Sequence, residues 1–232
     1  MKRFITSILC LFMILGLTAC GNNKVQEDNV FSESVITEPE NISQIENETA
    51  SEVEENSKKK VLVAFFSMPD EVDDSTVVID GETLGNTQYM AYVIQENTGA
   101  DIFRIEAEKP YPTNHDMLVD LAKEEQDNDS RPAIKDSIEN LEEYETVFIG
   151  YPIWWSDMPM IMYTFFDTYD FSGKTIVPFS THGGSSFAGT PDTIAELEPN
   201  AAILDGKTIS REVIQDAEQD IVDWLRDIGY AK

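Results

Sequence analysis

The sequence predicts a three-layer, doubly wound α/β sandwich with a five-stranded parallel sheet, on three observations. From residue 61 onward, short apolar runs rich in β-branched and aromatic residues recur. Segments with helical apolar spacing lie between them. The runs are continuous rather than alternating, which marks strands covered on both faces. The strand segments are "VLVAFF" (Val61–Phe66), "DIFRIEA" (Asp101–Ala107), "TVFIG" (Thr146–Gly150), "TIVPFS" (Thr175–Ser180) and "AAILDG" (Ala201–Gly206). Helices are expected over 87–98, 115–127, 159–170 and 191–198. A terminal helix over 211–229 carries a stripe of Val213, Ile214, Ala217, Ile221, Trp224, Leu225 and Ile228 with acids opposite. Pattern alone does not give the strand order.

This domain, residues 60–232, is preceded by two segments of different character. Lys2 and Arg3 stand before the apolar stretch "FITSILCLFMILGL" and the small residues of "LTAC", which end at Cys20. A charged start, a short apolar run and small residues before a cleavage point describe a secretory signal over 1–20, too short for a spanning helix. With the cysteine directly after them it resembles a bacterial lipoprotein signal, which implies lipidation at Cys20. Residues 21–60 hold ten acids, four lysines and one aromatic, Phe31. Such a stretch cannot bury enough apolar surface to offset the entropy of ordering, so 21–59 reads as a disordered acidic tether. The expected location is the outer face of the bacterial cytoplasmic membrane, with contact through the lipid anchor only.

Charge and cysteine usage exclude several function classes. Residues 61–232 carry 34 acids against ten Lys plus Arg, a net charge near −24. Nucleic acids and anionic lipid surfaces both require basic surface, so neither is an expected partner. Both cysteines, Cys10 and Cys20, lie in the signal, which leaves the domain without disulfide, thiol nucleophile or cysteine metal site.

Function is expected at the carboxyl ends of the strands, where open α/β sheets bind ligands. After the first strand, Ser67 and then Gly85, Asn86 and Thr87 place small hydroxyls and a glycine at a helix start, which favours a phosphate. Asn86 also suits a plain helix N-cap, a role found far more often than ligand binding. After the third strand comes "GYPIWWSDMP": Pro152 ends the ladder, and Ile153, Trp154 and Trp155 supply either a flat stacking platform or a local core cap. After the fourth strand, Thr181, His182, Gly183 and Gly184 begin a compact loop whose backbone can approach a ligand closely. Together the loops offer a phosphate cradle, a flat platform and polar backbone contacts, the needs of an aromatic mononucleotide.

The stretches "VLVAFFS", "GNTQYMA", "TGADIFRIEAEKPYP", "SRPAI", "VFIGYPIWWSDMPMIMYTFFD" and "SGKTIVPFSTHGGS" recur in order from 61 to about 206. On these the chain resembles the flavodoxin-like family, more narrowly the flavodoxin-type domains of bacterial lipoproteins and short quinone-reductase-like proteins. The resemblance implies strand order 2-1-3-4-5, FMN as cofactor, and either an FMN-dependent oxidoreductase or an electron carrier. It implies that Ser67, Asn86 and Thr87 hold the phosphate, that Pro152 to Trp155 line the isoalloxazine, and that Thr181 to Gly184 contact its polar edge. His182 is the one residue of these loops that titrates near neutrality, and it could pass a proton to the flavin or to a quinone. His115, at a helix start, reads as surface. The expected redox partner is a quinone or a basic protein, the latter because the domain is acidic.

One stretch departs from the family's pattern. Met68 to Leu84 intervene between the strand-end serine and "GNT", with six acids, Asp70, Glu71, Asp73, Asp74, Asp80 and Glu82. They lack the spacing of a calcium loop. Asp80-Gly81 between short apolar runs predicts a hairpin, expected to project beyond the site with its acids in water. The insert also supports a different class of function, a cofactor-free module of the same shape that binds a protein or a glycan.

Overall fold

A computed structural model describes residues 60–68, 76–79 and 81–231. The signal segment with Cys20, the acidic tether and five of the six insert acids (Asp70, Glu71, Asp73, Asp74 and Asp80) lie outside the described residues. In chain order the elements are β1 (Lys60–Phe65), β2 (Thr76–Ile79), β3 (Glu82–Gly85), α1 (Asn86–Thr98), β4 (Asp101–Arg104), α2 (His115–Asp127) and β5 (Tyr144–Pro152). They continue with α3 (Met160–Thr168), β6 (Thr175–His182), α4 (Thr190–Leu197), β7 (Ala202–Ile203), β8 (Lys207–Ser210) and α5 (Glu218–Asp227).

The main sheet runs β4-β1-β5-β6, with β7 and β8 both paired to β6, and every pairing is parallel. Counting main-sheet strands along the chain, the order is 2-1-3-4-5 with the fifth strand in two pieces, a flavodoxin-like arrangement. Alternate residues of each strand point to opposite faces, and the cores divide accordingly. Leu62 and Ala64 of β1, with Val147, Ile149 and Tyr151 of β5, face Leu118 of α2, Ile161 and Phe165 of α3, and Ile194 of α4. Val63 and Phe65, with Phe148 of β5 and Phe179 of β6, face Met90 and Ile94 of α1 and Ile221 and Leu225 of α5.

Local chemistry sets the ends of the elements. Gly99 takes a left-handed φ of 73° and returns its N–H to the Gln95 carbonyl at 2.8 Å, which stops α1. The Asn114 side chain accepts from the Met117 N–H at 3.0 Å and so starts α2. In β5 the backbone of Gly150 lies against the Phe179 ring, where a β-carbon would stand 2.1 Å from Cζ.

Four expectations are corrected. The second main-sheet strand ends at Arg104 rather than Ala107, and Ala107 instead bridges antiparallel to Ile134. The fifth strand does not run through Ala201–Gly206. At Gly206 a β-carbon would sit 2.3 Å from the Pro178 carbonyl, so the chain crosses close to β6 there and pairing resumes only at Lys207. The terminal helix begins at Glu218, after a single 3-10 turn over Ile214–Asp216, and Val213 is exposed rather than part of the buried stripe. The hairpin forms as β2 and β3, but it does not project. Val77 is buried in the core beneath α1, and Ile79 and Leu84 pack on the same core while Val78 faces out.

Candidate functional site

Three strand ends and one helix face enclose a cleft of about 250 Å³ at the carboxyl edge of the sheet. On its polar side, β1 leads into Ser67, which is buried, and Arg104 donates to the Ser67 carbonyl at 3.3 Å. The start of α1 presses against this residue. A β-carbon at Gly85 would lie 2.2 Å from Ser67 Oγ and 2.4 Å from the Met68 carbonyl, so only glycine permits the approach. The first turn of α1 carries no acid, and the amides of a helix's first turn lack partners within the helix. Thr87 Oγ1 lies 2.7 Å from Thr181 Oγ1, which ties the helix start to the end of β6.

On the aromatic side, β5 stays paired with β6 as far as Pro152 opposite Thr181, and the Ile153 N–H donates to the Thr181 carbonyl at 2.9 Å. The chain then folds back on itself. Trp154 N–H donates to the Asp157 carbonyl at 2.8 Å and Asp157 N–H to the Trp154 carbonyl at 3.0 Å. The two residues between them, Trp155 and Ser156, have φ of 49° and 62°. Two central residues at positive φ are the signature of a type I′ turn, which ordinarily takes Asn and Gly. Asp157 braces the turn from below, accepting from Met158 N–H at 2.7 Å and from the Tyr163 hydroxyl at 2.9 Å.

The two tryptophans part company at this turn. Trp154 is clamped edge-on between Phe66 and Tyr111, at ring separations of 5.4 and 5.6 Å, and packs on the core. Trp155 is 50% exposed. Its indole N–H donates to the Val119 carbonyl of α2 at 3.1 Å, and the Lys123 ammonium lies 5.9 Å from the ring centre. Both rings line the cleft.

At the end of β6, Gly184 N–H donates to His182 Nδ1 at 2.9 Å, so the neutral imidazole carries its proton on Nε2. Burial lowers the pKa of His182, which favours that neutral form. The Arg211 N–H donates to the His182 carbonyl at 2.9 Å and brings the Arg211 side chain to the cleft.

The structure brings together Ser67, Asn86, Thr87, Pro152, Ile153, Trp154, Trp155, Thr181, His182 and Gly183. Gly85 and Gly184 do not line the cleft, although Gly85 shapes it by letting α1 approach. Sequence reasoning missed Met68, Arg211 and the α2 face of Leu118, Val119 and Ala122. His115, expected to be a plain surface residue, is exposed but also lines the cleft. A helix stripe carries no mark that says cleft rather than core. No Asp or Glu lines the cleft among the described residues, in a chain with 44 of them. Nor do the described residues contain a cluster of three or more His, Cys, Asp or Glu placed to hold a metal, or a helix long and apolar enough to cross a membrane.

A family model for flavodoxin matches residues 75–228. The chain belongs to the flavodoxin family. Solved structures agree with this flavodoxin assignment. A candidate flavoprotein from Bacteroides eggerthii is 32% identical with a TM-score of 0.58, over 74% of this chain and 98% of the other. A second candidate flavoprotein, from Bacteroides uniformis, is 28% identical with a TM-score of 0.54, over 69% and 98% of the two chains. A flavoprotein from Lactobacillus acidophilus, solved in complex with FMN, shares the fold at 19% identity and a TM-score of 0.52, over 70% and 97%. No curated protein matches the chain.

Proposed function

We propose that this flavodoxin-family protein binds FMN in the cleft and passes electrons to or from a quinone or a basic protein, while anchored outside the cytoplasmic membrane through Cys20. The observation that carries the FMN reading is the convergence of an acid-free helix start, an exposed tryptophan and a histidine-glycine loop on one cleft that no carboxylate lines among the described residues. The solved relative with FMN supports the choice of flavin. The anchor rests on the sequence of residues 1–20 alone.

The donor set fits the cofactor. Ser67, Thr87 and Thr181 offer hydroxyls beside the α1 amides, and the close approach at Gly85 brings them within one small cradle. These groups would hold the phosphate. Trp155, exposed at the cleft, would flank the ring system and exclude water from one side, while Trp154 packs against Phe66. The bound flavin supplies the redox chemistry, and the protein's part is to place and tune it. The backbone of 181–183, which lines the cleft, would meet the ring's polar edge, where backbone donors would favour the more negative, reduced charge state. His182, with its proton on Nε2, would donate a hydrogen bond at that edge and is the one residue of its loop able to move a proton near neutral pH.

Titration of the purified full-length chain with FMN tests the reading. Stoichiometric quenching of flavin fluorescence is expected. Absence of both quenching and flavin absorbance would return the protein to the cofactor-free binding module that its acidic insert suggests.

A further inference from the structure

The geometry points to a second ligand site, a hollow that takes an organic cation against the carboxylate of Glu125. The group it suits is an ammonium or guanidinium on a short apolar stem. The hollow, of about 530 Å³, opens beside the C-terminal half of α2 and shares no lining residue with the cleft. Its walls are two loops clasped by backbone hydrogen bonds, Glu108 N–H to the Ala133 carbonyl at 2.8 Å and Lys135 N–H to the Glu106 carbonyl at 2.9 Å. Ala107 bridges Ile134 between them. Pro110 and Pro132 stiffen one loop each, so the hollow is formed before a ligand arrives.

Glu125 sets the chemistry of the hollow. Its Oε2 accepts from the Tyr111 hydroxyl at 3.0 Å, and no described residue donates to its other oxygen. No ion pair among the described residues includes it. The two cations that line the hollow do not reach it. Arg131 is taken by Asp129 at 2.7 Å and Asp167 at 2.6 Å, and its guanidinium lies 5.2 Å from the centre of the Tyr163 ring. Lys109 stands exposed at the rim. Glu125 is half-buried, and the lost hydration, with Glu124 close by, raises its pKa. A carboxylate with an open acceptor, reduced hydration and no cation favours a positively charged donor. Leu121 and the two prolines supply apolar surface for a short stem, and the Tyr111 ring adds attraction for a cation. The chain's formal charge of −28 draws cations to this surface and repels anions.

The test uses the full-length protein without FMN, so its outcome bears on the hollow and not on the flavin reading. n-Butylammonium is titrated while backbone amide signals are followed by NMR, with n-butanol as the uncharged counterpart. Saturable shifts at 107–111 and 130–133 are expected with the amine and not with the alcohol. Glu125→Gln keeps the shape and removes the charge, and is expected to weaken amine binding roughly tenfold or more. Ala133→Lys leaves Glu125 in place and supplies a cation from the hollow's own wall, so the probe is expected to be excluded there too. Displacement of the amine by tetralysine assigns the cation to a protein side chain, and failure to displace it assigns the cation to a free amine. Equal amine affinity in the wild type and Glu125→Gln, or equal shifts with butanol, would overturn the proposal.

Discussion

The two sides of the cleft use glycine in opposite ways. On the polar side, Gly85 and Gly183 stand where the backbone is ordinary and space is short: Ser67 Oγ crowds one and the Arg211 guanidinium the other. On the aromatic side, space is open and the backbone is not ordinary, yet Trp155 and Ser156 occupy the two positive-φ positions of the turn. A left-handed conformation costs a non-glycine residue about 1–2 kcal/mol. The polar side therefore gives up side chains to bring groups close, and the aromatic side accepts strain to keep a side chain in place. Strain retained beside a cleft is what a functional side chain produces, and the side chain in question is the exposed indole of Trp155.

The strongest way to break that comparison is at the clamp behind the turn. Trp154→Ala removes a ring packed between Phe66 and Tyr111, and is expected to cost about 3 kcal/mol, roughly 6–12 °C in melting temperature. A smaller loss, with flavin affinity reduced instead, would make Trp154 the platform and Trp155 the bystander. Next comes Gly85→Ala, where the added methyl meets Ser67 and the Met68 carbonyl. A destabilisation of about 1–3 kcal/mol is expected together with weaker FMN binding. Full retention of both would show that the α1 approach is looser than described.

Trp155→Ala is expected to weaken FMN binding about tenfold while changing the melting temperature little, since the ring is half exposed. His182 gives a pH signature. Its folded pKa lies below the ordinary histidine value, so the folded state binds fewer protons than the unfolded one. Its contribution to stability is complete above about pH 6.5 and is lost as pH falls through the folded pKa. Melting temperatures between about pH 7.5 and 5.5 should fall further for the wild type than for His182→Asn. Ser156→Gly is the smallest effect, a stabilisation of about 0.5–1 kcal/mol from relief at φ 62°. No gain there would mean that the turn is not strained.

The same contrast explains what was legible in the sequence. Continuous apolar β-branched runs marked the central strands because those strands are buried on both faces, as Val63 and Leu62 are on opposite sides of β1. Strand ends and loops then located most of the cleft. Asp80-Gly81 signalled the hairpin, but which of Val77 and Val78 would be buried depended on a partner surface that local pattern does not show. The fifth strand broke at Gly206 because of an approach to Pro178, a contact distant in sequence. Arg211 was hidden inside a stretch whose apolar spacing read as helix, and the wall of α2 looked like any other amphipathic face. The roles of Trp154 and Trp155 were separable only once the turn geometry was known, because the two are identical and adjacent.

The seating of the cofactor can be read directly from the amide and indole N–H signals of the full-length protein by NMR as FMN is added. Stoichiometric shifts are predicted for the Trp155 indole and for the amides of Asn86, Thr87 and Gly183, with the buried Trp224 indole unmoved. The account would be contradicted by saturable FMN binding that leaves those signals in place and perturbs another region, such as the separate hollow lined by Tyr111, Glu125 and Arg131.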